Sequence, residues 1–337
     1  PYGQIALKAV LPALLYFTGI FISVHLEAKK LGLRGLPREE LPKLLPLLKK
    51  SYLLLPLALL IYLVGTSQKS IQYAAALSIV ACVFVTLFSR ETRITPMRIL
   101  EALAAGGQGS ITVAAACGIA GIIAGTITMT GLANVIINGI VVLAGNSVLI
   151  ALFLTMICCI VLGMGVPTTA TYCIMAATCA PILVRMGVPL VAAHFFVFYF
   201  GIVADLTPPV ALAAYAGAAI AQANPMKTAL ESTKLAIGAF IVPYAFALSP
   251  SMLLIDTTAA EVILIVITSL VGIASVSAAM EGYLVGKLSW PRRALALVGG
   301  LMMIYPGTVT DVIGLALSGL VVVLCLADKK KAAPAAA

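Results

Sequence analysis

Two short stretches of this chain carry residue types that can hold small ions. Residues 163–169 read GMGVPTT, with Thr171 just beyond, and residues 205–209 read DLTPP. Glycine lets a backbone leave helical geometry, and proline removes an N–H and clashes with the preceding turn. Both effects release carbonyl oxygens, which suit a hard cation such as sodium, and Thr hydroxyls add further oxygen ligands. A helix restarting after such a break aims its free N–H groups and positive dipole end at any anion nearby. This chemistry assigns a cation to Gly163, Gly165, Val166, Pro167, Thr207, Pro208 and Asp205. It assigns an anionic substrate to Thr168, Thr169, Thr171, Thr207 and Asn134. The bland alternative is that Gly and Pro only kink packed helices. Two interruptions in one apolar region, each flanked by Thr, weigh against a kink alone.

Other polar residues in the region are few. From Ala102 to Met226 the only charged side chains are Arg185 and Asp205. An acid at membrane depth costs several kcal/mol unless paired or hydrated. Asp205 reads equally as a proton sensor, a cation ligand, a cap on the break at Thr207, or an interfacial residue satisfying N–H groups there. Asn134 and Asn138 share one helix face, among small residues that favour close packing or among groups lining a wet cavity. Arg185 is expected to snorkel to the interface, with a substrate carboxylate as the alternative. His194 reads as a packed or interfacial residue, and Phe195, Phe196, Phe198, Tyr199 and Phe200 as packing surface. Enzyme signatures are missing: there is no H-E-x-x-H, no phosphate-binding loop, and only two His in total. No residue is assigned a catalytic role.

The composition explains why these interruptions matter. Of 337 residues 62% are hydrophobic and 10% charged, with a mean hydropathy of +1.14. Soluble domains carry about 25% charged residues, so the chain reads as an all-α polytopic membrane protein. Its net charge of +9 sits in short interruptions between apolar runs. That is the pattern of cytoplasmic loops, not of a nucleic-acid site. The seven Cys lie in apolar segments without a Cys-x-x-Cys pair, so they read as small buried hydrophobes rather than metal ligands.

A spanning helix needs about 20 apolar residues. Candidates run over 5–24, 52–66 and 70–89, separated by a basic loop in which Lys29, Lys30, Arg34, Arg38, Lys43, Lys49 and Lys50 outnumber Glu27, Glu39 and Glu40. Pro37, Pro42 and Pro46 mark that loop as interfacial, and Arg90, Arg93 and Arg98 form the next basic cluster. A short helix is expected at 96–105, then Gly- and Ala-rich segments. Residues 146–162 and 168–186 form two arms around GMGVPTT, either as full spans or as a re-entrant hairpin. Residues 188–223 form a helix broken at Pro208 and Pro209. Lys227, Glu231 and Lys234 mark an amphipathic turn before spans at 235–255 and 262–280 and a bent pair at 294–326. The resulting division is 1–91 as spans with the basic loop on the scaffold side, and 92–255 as a transport repeat with hairpin 146–186 and broken helix 188–223. Residues 256–331 then form additional C-terminal spans, and 332–337 a disordered tail.

The run GMGVPTTATYCIMAATCAPILVRMGV, followed by AAHFFVFYFGIVADLTPPVALAAYAGAAIAQANPMKTALESTKLAIGAF, resembles the large permease subunit of tripartite ATP-independent periplasmic (TRAP) transporters. The resemblance is strongest over 99–255, extends from residue 1 through the basic loop, and weakens after Asp256. It is nearest to the fused permeases that work with TAXI-type solute-binding proteins. It implies an elevator-type fold of two inverted repeats, each with a re-entrant hairpin and a broken helix, in the inner membrane of a bacterium or archaeon. It also implies cation sites, usually for sodium, near the hairpin tips and breaks, and a small organic anion such as a carboxylate. A periplasmic binding protein, the small-subunit spans and the lipid bilayer are the implied partners. On this chain Gly163, Gly165, Pro167, Thr168 and Thr169 match the second-repeat tip, and Thr207, Pro208 and Pro209 the break. Many relatives carry an acid where this chain has Pro167, which leaves sodium and proton both open.

One hairpin-plus-break unit is present where the resemblance implies two. The chain is therefore expected to be the C-terminal half of a longer permease, or a split subunit needing an upstream half. Two readings from other classes stand beside the transporter. A membrane enzyme acting on a lipidic substrate would need clustered acids or His. A structural assembly subunit would leave both interruptions as packing kinks.

Overall fold

The computed structural model describes residues 2–37, 39–41, 44–66, 70–87 and 93–332. The expectations for Arg38, Pro42, Lys43, Arg90 and the tail from residue 333 onward lie outside the described residues. Peptide groups in lipid must be satisfied within their own segment, and the structure is accordingly helical, with no strand among the described residues. Among the described residues four helices have the length and apolarity to cross a membrane: Tyr2–Lys30, Pro96–Met129, Ala259–Glu281 and Thr308–Asp328. This bears out the polytopic membrane reading.

The chain forms two units, Pro1–Val10 with Arg34–Val113, and Leu11–Leu33 with Ala114–Ala337. Helices α1 (Tyr2–Lys30) and α5 (Pro96–Met129) contribute to both. The first unit adds α2 (Leu44–Lys49), α3 (Leu55–Thr66) and α4 (Ile71–Thr86). The Ser70 hydroxyl starts α4 by accepting the Tyr73 N–H at 3.2 Å, which satisfies one of the orphan donors of a first turn. α5 corrects the short helix expected at 96–105. It runs unbroken to Met129 because nothing after Pro96 removes a backbone donor, and its glycines alone do not end it.

The second unit holds the remaining helices. These are α6 (Leu132–Ala144), α7 (Val148–Gly163), α8 (Thr168–Thr178), α9 (Ala180–Arg185), α10 (Leu190–Val203), α11 (Leu212–Ala221), α12 (Pro225–Leu235), α13 (Ile237–Leu248), α14 (Ala259–Glu281), α15 (Trp290–Met302) and α16 (Thr308–Ala332). The second hairpin arm, expected as one helix, divides at Cys179. Pro181 lacks the N–H that the Ala177 carbonyl would need. The span expected over 235–255 is likewise shortened: α13 stops at Leu248, and Pro250 opens a 3₁₀ turn to Leu253.

The core of this unit is built on α10. Phe196 and Phe200 are fully buried, their rings 4.8 Å apart, and Tyr244 of α13 meets both edge-on. Lipid is as apolar as these side chains, so packing rather than burial from water holds such helices together. Small residues allow the closest approach. A Cβ on Gly300 of α15 would lie 2.7 Å from the Gly272 carbonyl oxygen and 2.7 Å from Val276 Cγ2, both on α14. Gly300→Val should therefore destabilise the protein by about 1–3 kcal/mol through overpacking, read as a lower unfolding midpoint in detergent. An unchanged midpoint would count against this packing.

Candidate functional site at a hairpin tip and a broken helix

The hairpin is made by α7 and α8. Ser147 caps α7, its hydroxyl accepting the Ile150 N–H at 3.4 Å, and the helix ends at Gly163. The chain then turns through Met164, which is extended, and Gly165, at φ +74°. A left-handed residue is the natural place for glycine, which has no Cβ to clash. Pro167, at ψ 141°, leads into α8. The first helical bond of α8 runs from the Thr171 N–H to the Pro167 carbonyl at 2.9 Å. The N–H groups of Thr168, Thr169 and Ala170 thus have no helical acceptor. They form a short anion-facing edge at the positive end of α8.

The second interruption follows α10. A 3₁₀ turn covers Ala204–Leu206, Thr207 is extended, the Pro208–Pro209 bond is cis, and α11 restarts after Ala211. Most carbonyls here find donors. Thr207 donates its hydroxyl to the Val203 carbonyl at 2.7 Å, and its N–H to that of Ala204 at 3.3 Å. Thr233 of α12 reaches the Leu206 carbonyl at 3.1 Å, and Tyr215 of α11 reaches that of Pro209 at 2.7 Å. The Asp205 carbonyl is different. Its helical donors would be residues 208 and 209, and both are prolines without an N–H. The Asp205 side chain is partly buried, and no cation pairs with it among the described residues.

The two interruptions meet. A Cβ on Gly163, the last residue of α7, would lie 2.9 Å from Ala204 Cβ and 3.1 Å from Met175 Cε. One on Gly165 would stand 3.8 Å from Val210 Cγ1, and one on Gly201 would stand 3.1 Å from Thr171 Cγ2. The tip therefore lies against the break, with Met175 and the Thr171 methyl filling the angle between α8 and α10. The latter half of α5 closes one side of the hairpin, Ala116 and Ala120 packing on Ala170 and Ile174.

Not every residue singled out in the sequence faces this junction in the same way. Thr168 is half-buried and Thr169 exposed at the start of α8, as an anion contact requires. Thr171 is 1% exposed and donates its hydroxyl to the Val166 carbonyl at 3.0 Å, so it braces the tip from inside. Asn134 is exposed on α6, and none of the contacts joining tip and break involves it. One turn on, Asn138 accepts the Arg185 guanidinium at 2.7 Å, which ties α6 to the base of the hairpin instead of leaving Arg185 to solvent alone. His194 is held by the Tyr172 hydroxyl at 3.0 Å, between α10 and α8. Sequence reading passed over Gly201, Ala204, Thr233 and Tyr215, whose parts depend on neighbours distant in the chain.

The sequence model of the family described as "Tripartite ATP-independent periplasmic transporter, DctM component" matches residues 1–280. The chain belongs to this family. No curated protein and no solved structure matches it. The match reaches beyond the 99–255 core of the resemblance and takes in both units, up to the end of α14. A DctM-family chain is a multi-pass transporter permease component and not an enzyme, so neither interruption has a reaction to perform. The close contact of tip and break depends on there being no side chain at Gly163. Gly163→Ala should push the tip off Ala204 and cost about 1–3 kcal/mol, measured by thermal unfolding in detergent. Gly217→Ala, whose added Cβ meets nothing within 4 Å, is the control and should be neutral or stabilising by up to ~1 kcal/mol.

Proposed function

We propose that the tip and the break together form the site at which this permease carries a small organic anion with a coupling cation. What supports this reading is the contact of Gly163 with Ala204. It sets the hairpin tip, which leads into the free N–H edge of α8, against the 3₁₀ turn whose Asp205 carbonyl has only prolines at its helical donor positions. Discontinuous helices of this kind serve transporters in two ways: N-termini meet anionic groups and unwound carbonyls meet cations. A substrate carboxylate would meet the amides and hydroxyls of Thr168 and Thr169. Sodium would meet the Asp205 and Pro208 carbonyls, with the Asp205 carboxylate and oxygens from residues 163–167 completing its ligands. The family is tripartite by description, so a periplasmic binding protein and a small membrane subunit are the expected partners. The binding protein is proposed to be of the TAXI type, with transport by an elevator movement of the hairpin and broken helix in a bacterial or archaeal inner membrane. A proton in place of sodium is the second reading, favoured by a partly buried carboxylate without a cationic partner.

The test is thermal stability of the assembled permease in detergent, in sodium against potassium at equal ionic strength. A bound ion stabilises by RT ln(1 + [L]/Kd), about 2.7 kcal/mol at 100-fold over Kd. Sodium should raise the unfolding midpoint selectively, and Asp205→Asn should remove most of that rise. A midpoint indifferent to both sodium and pH would remove the coupling-ion reading. A full sodium response in Asp205→Asn would exclude the carboxylate as a ligand while leaving the carbonyls in place.

A further inference from the structure

A second polar cluster lies at the basic end of α1 and α14. These helices pack in register through residues four apart. Gly19 meets Ile273, a Cβ there standing 2.9 Å from its Cγ2, and Ser23 donates to Ser277 at 3.0 Å with both side chains buried. Glu27 and Glu281 are the next pair in the series, and one ammonium, that of Lys234, reaches both carboxyl groups. Glu281 is 2% exposed, and neither of its carboxyl oxygens receives a well-directed hydrogen bond among the described residues. Lys234 of α12 places its ammonium 2.7 Å from Glu281 Oε2 and 3.6 Å from Glu27 Oε2. The rim holds Lys30, 2.8 Å from Glu27, and Glu231, 3.0 Å from Lys234.

The charges in this cluster do not balance. Lys234 is the one ammonium within reach of Glu281 among the described residues, and it is shared with Glu27 and with Glu231, whose side chain is 59% exposed; Lys30 reaches Glu27 instead. Burial works against the Lys234 ammonium, but the hydrogen bond to Glu231 and the charges of Glu281 and Glu231 outweigh it and raise its pKa, so Lys234 stays charged and does not supply the missing proton. Among neighbouring elements, α13 brings no charged residue. Arg293 of α15 spends its guanidinium on the Ala279 and Met280 carbonyls at 2.7 and 3.1 Å. Arg292 is paired with Asp328. Two carboxylates that share one ammonium, one of them cut off from water, disfavour each other's ionisation.

We propose that Glu27 and Glu281 bind one proton between them, closing a buried clasp in which Lys234 ties α12 to α1 and α14. The clasp is joined to the broken helix. Thr233, the residue before Lys234, holds the Leu206 carbonyl within the 3₁₀ turn that precedes the Pro-Pro break. Loss of the proton sets a second negative charge against Glu27 and leaves Glu281 ionised away from water, which weakens the packing of α1 on α14 on which Lys234 and the adjacent Thr233 are seated. This site lies apart from the proposed ion and substrate site and does not depend on whether sodium binds there.

The experiment follows the unfolding midpoint of the permease in detergent as pH is raised from mildly acid to alkaline, in potassium alone. Wild type should lose several degrees, and Glu281→Gln, which mimics the protonated acid, should flatten that dependence while keeping the acid-side midpoint. Glu27→Gln removes the same excess charge and should flatten it too, which covers failure of the first variant to accumulate. Infrared spectra should show a carboxylic-acid band in wild type that Glu281→Gln removes. A wild-type midpoint that does not fall with rising pH overturns the proposal without any variant. So does a Glu281→Gln protein that is less stable at every pH but keeps the wild-type slope, since that is the signature of a packing role alone.

Discussion

In an apolar surround, a backbone carbonyl deprived of its helical donor must be answered by something else. Pro208 and Pro209 deprive Asp205 in this way, since each lacks the N–H that a 3₁₀ or α-helical bond would use. The surrounding sequence answers the neighbouring carbonyls one by one. Thr207 turns its hydroxyl back onto Val203, Thr233 arrives from α12 for Leu206, and Tyr215 arrives from α11 for Pro209. The Asp205 carbonyl is left with a carboxylate on the same residue. The break is therefore a closely supported structure, most of whose carbonyls are answered within it or from neighbouring helices.

The hairpin tip lies against the break only because backbones approach closely. Gly163 and Ala204 leave no room for larger side chains between α7 and the 3₁₀ turn, and Gly201 lets Thr171 and Met175 settle against α10. Thr171 then holds the tip from within by bonding the Val166 carbonyl. Thr168 is half-buried and Thr169 exposed. The same residue type thus does two jobs three positions apart, and which job each performs depends on the helix face it occupies. Membership of a transporter permease family is what makes this junction the proposed site, since carrying an ion needs oxygen and N–H groups that are held in place yet unspent.

The far end of the unit shows the same economy of small residues followed by charge. Gly19, Ser23 and Glu27 run up one face of α1 against Ile273, Ser277 and Glu281 of α14, so close packing delivers two carboxyl groups to one buried spot. Lys234 answers them from α12, the helix that also braces the break through Thr233. The two polar regions of this unit are in this way connected by one turn of helix.

Local chemistry was readable without any structure. The apolar runs, the helix breaks at Pro167 and at Pro208 and Pro209, and the small-residue segments follow from backbone chemistry and lipid, which act on each residue and its near neighbours. The resemblance carried by GMGVPTT and LTPP, and with it the permease family, was legible for the same reason. The length of α5 and the division of the second arm at Cys179 were not, because helix ends depend on which donors survive rather than on average apolarity. Three further features came from the tertiary structure alone: the inward turn of Thr171, the exposed position of Asn134, and the meeting of Glu27, Lys234 and Glu281. Residues 27, 234 and 281 have no periodicity or motif in common. Only the parallel packing of α1 on α14, set by Gly19 and Ser23, brings their charges within reach of one another.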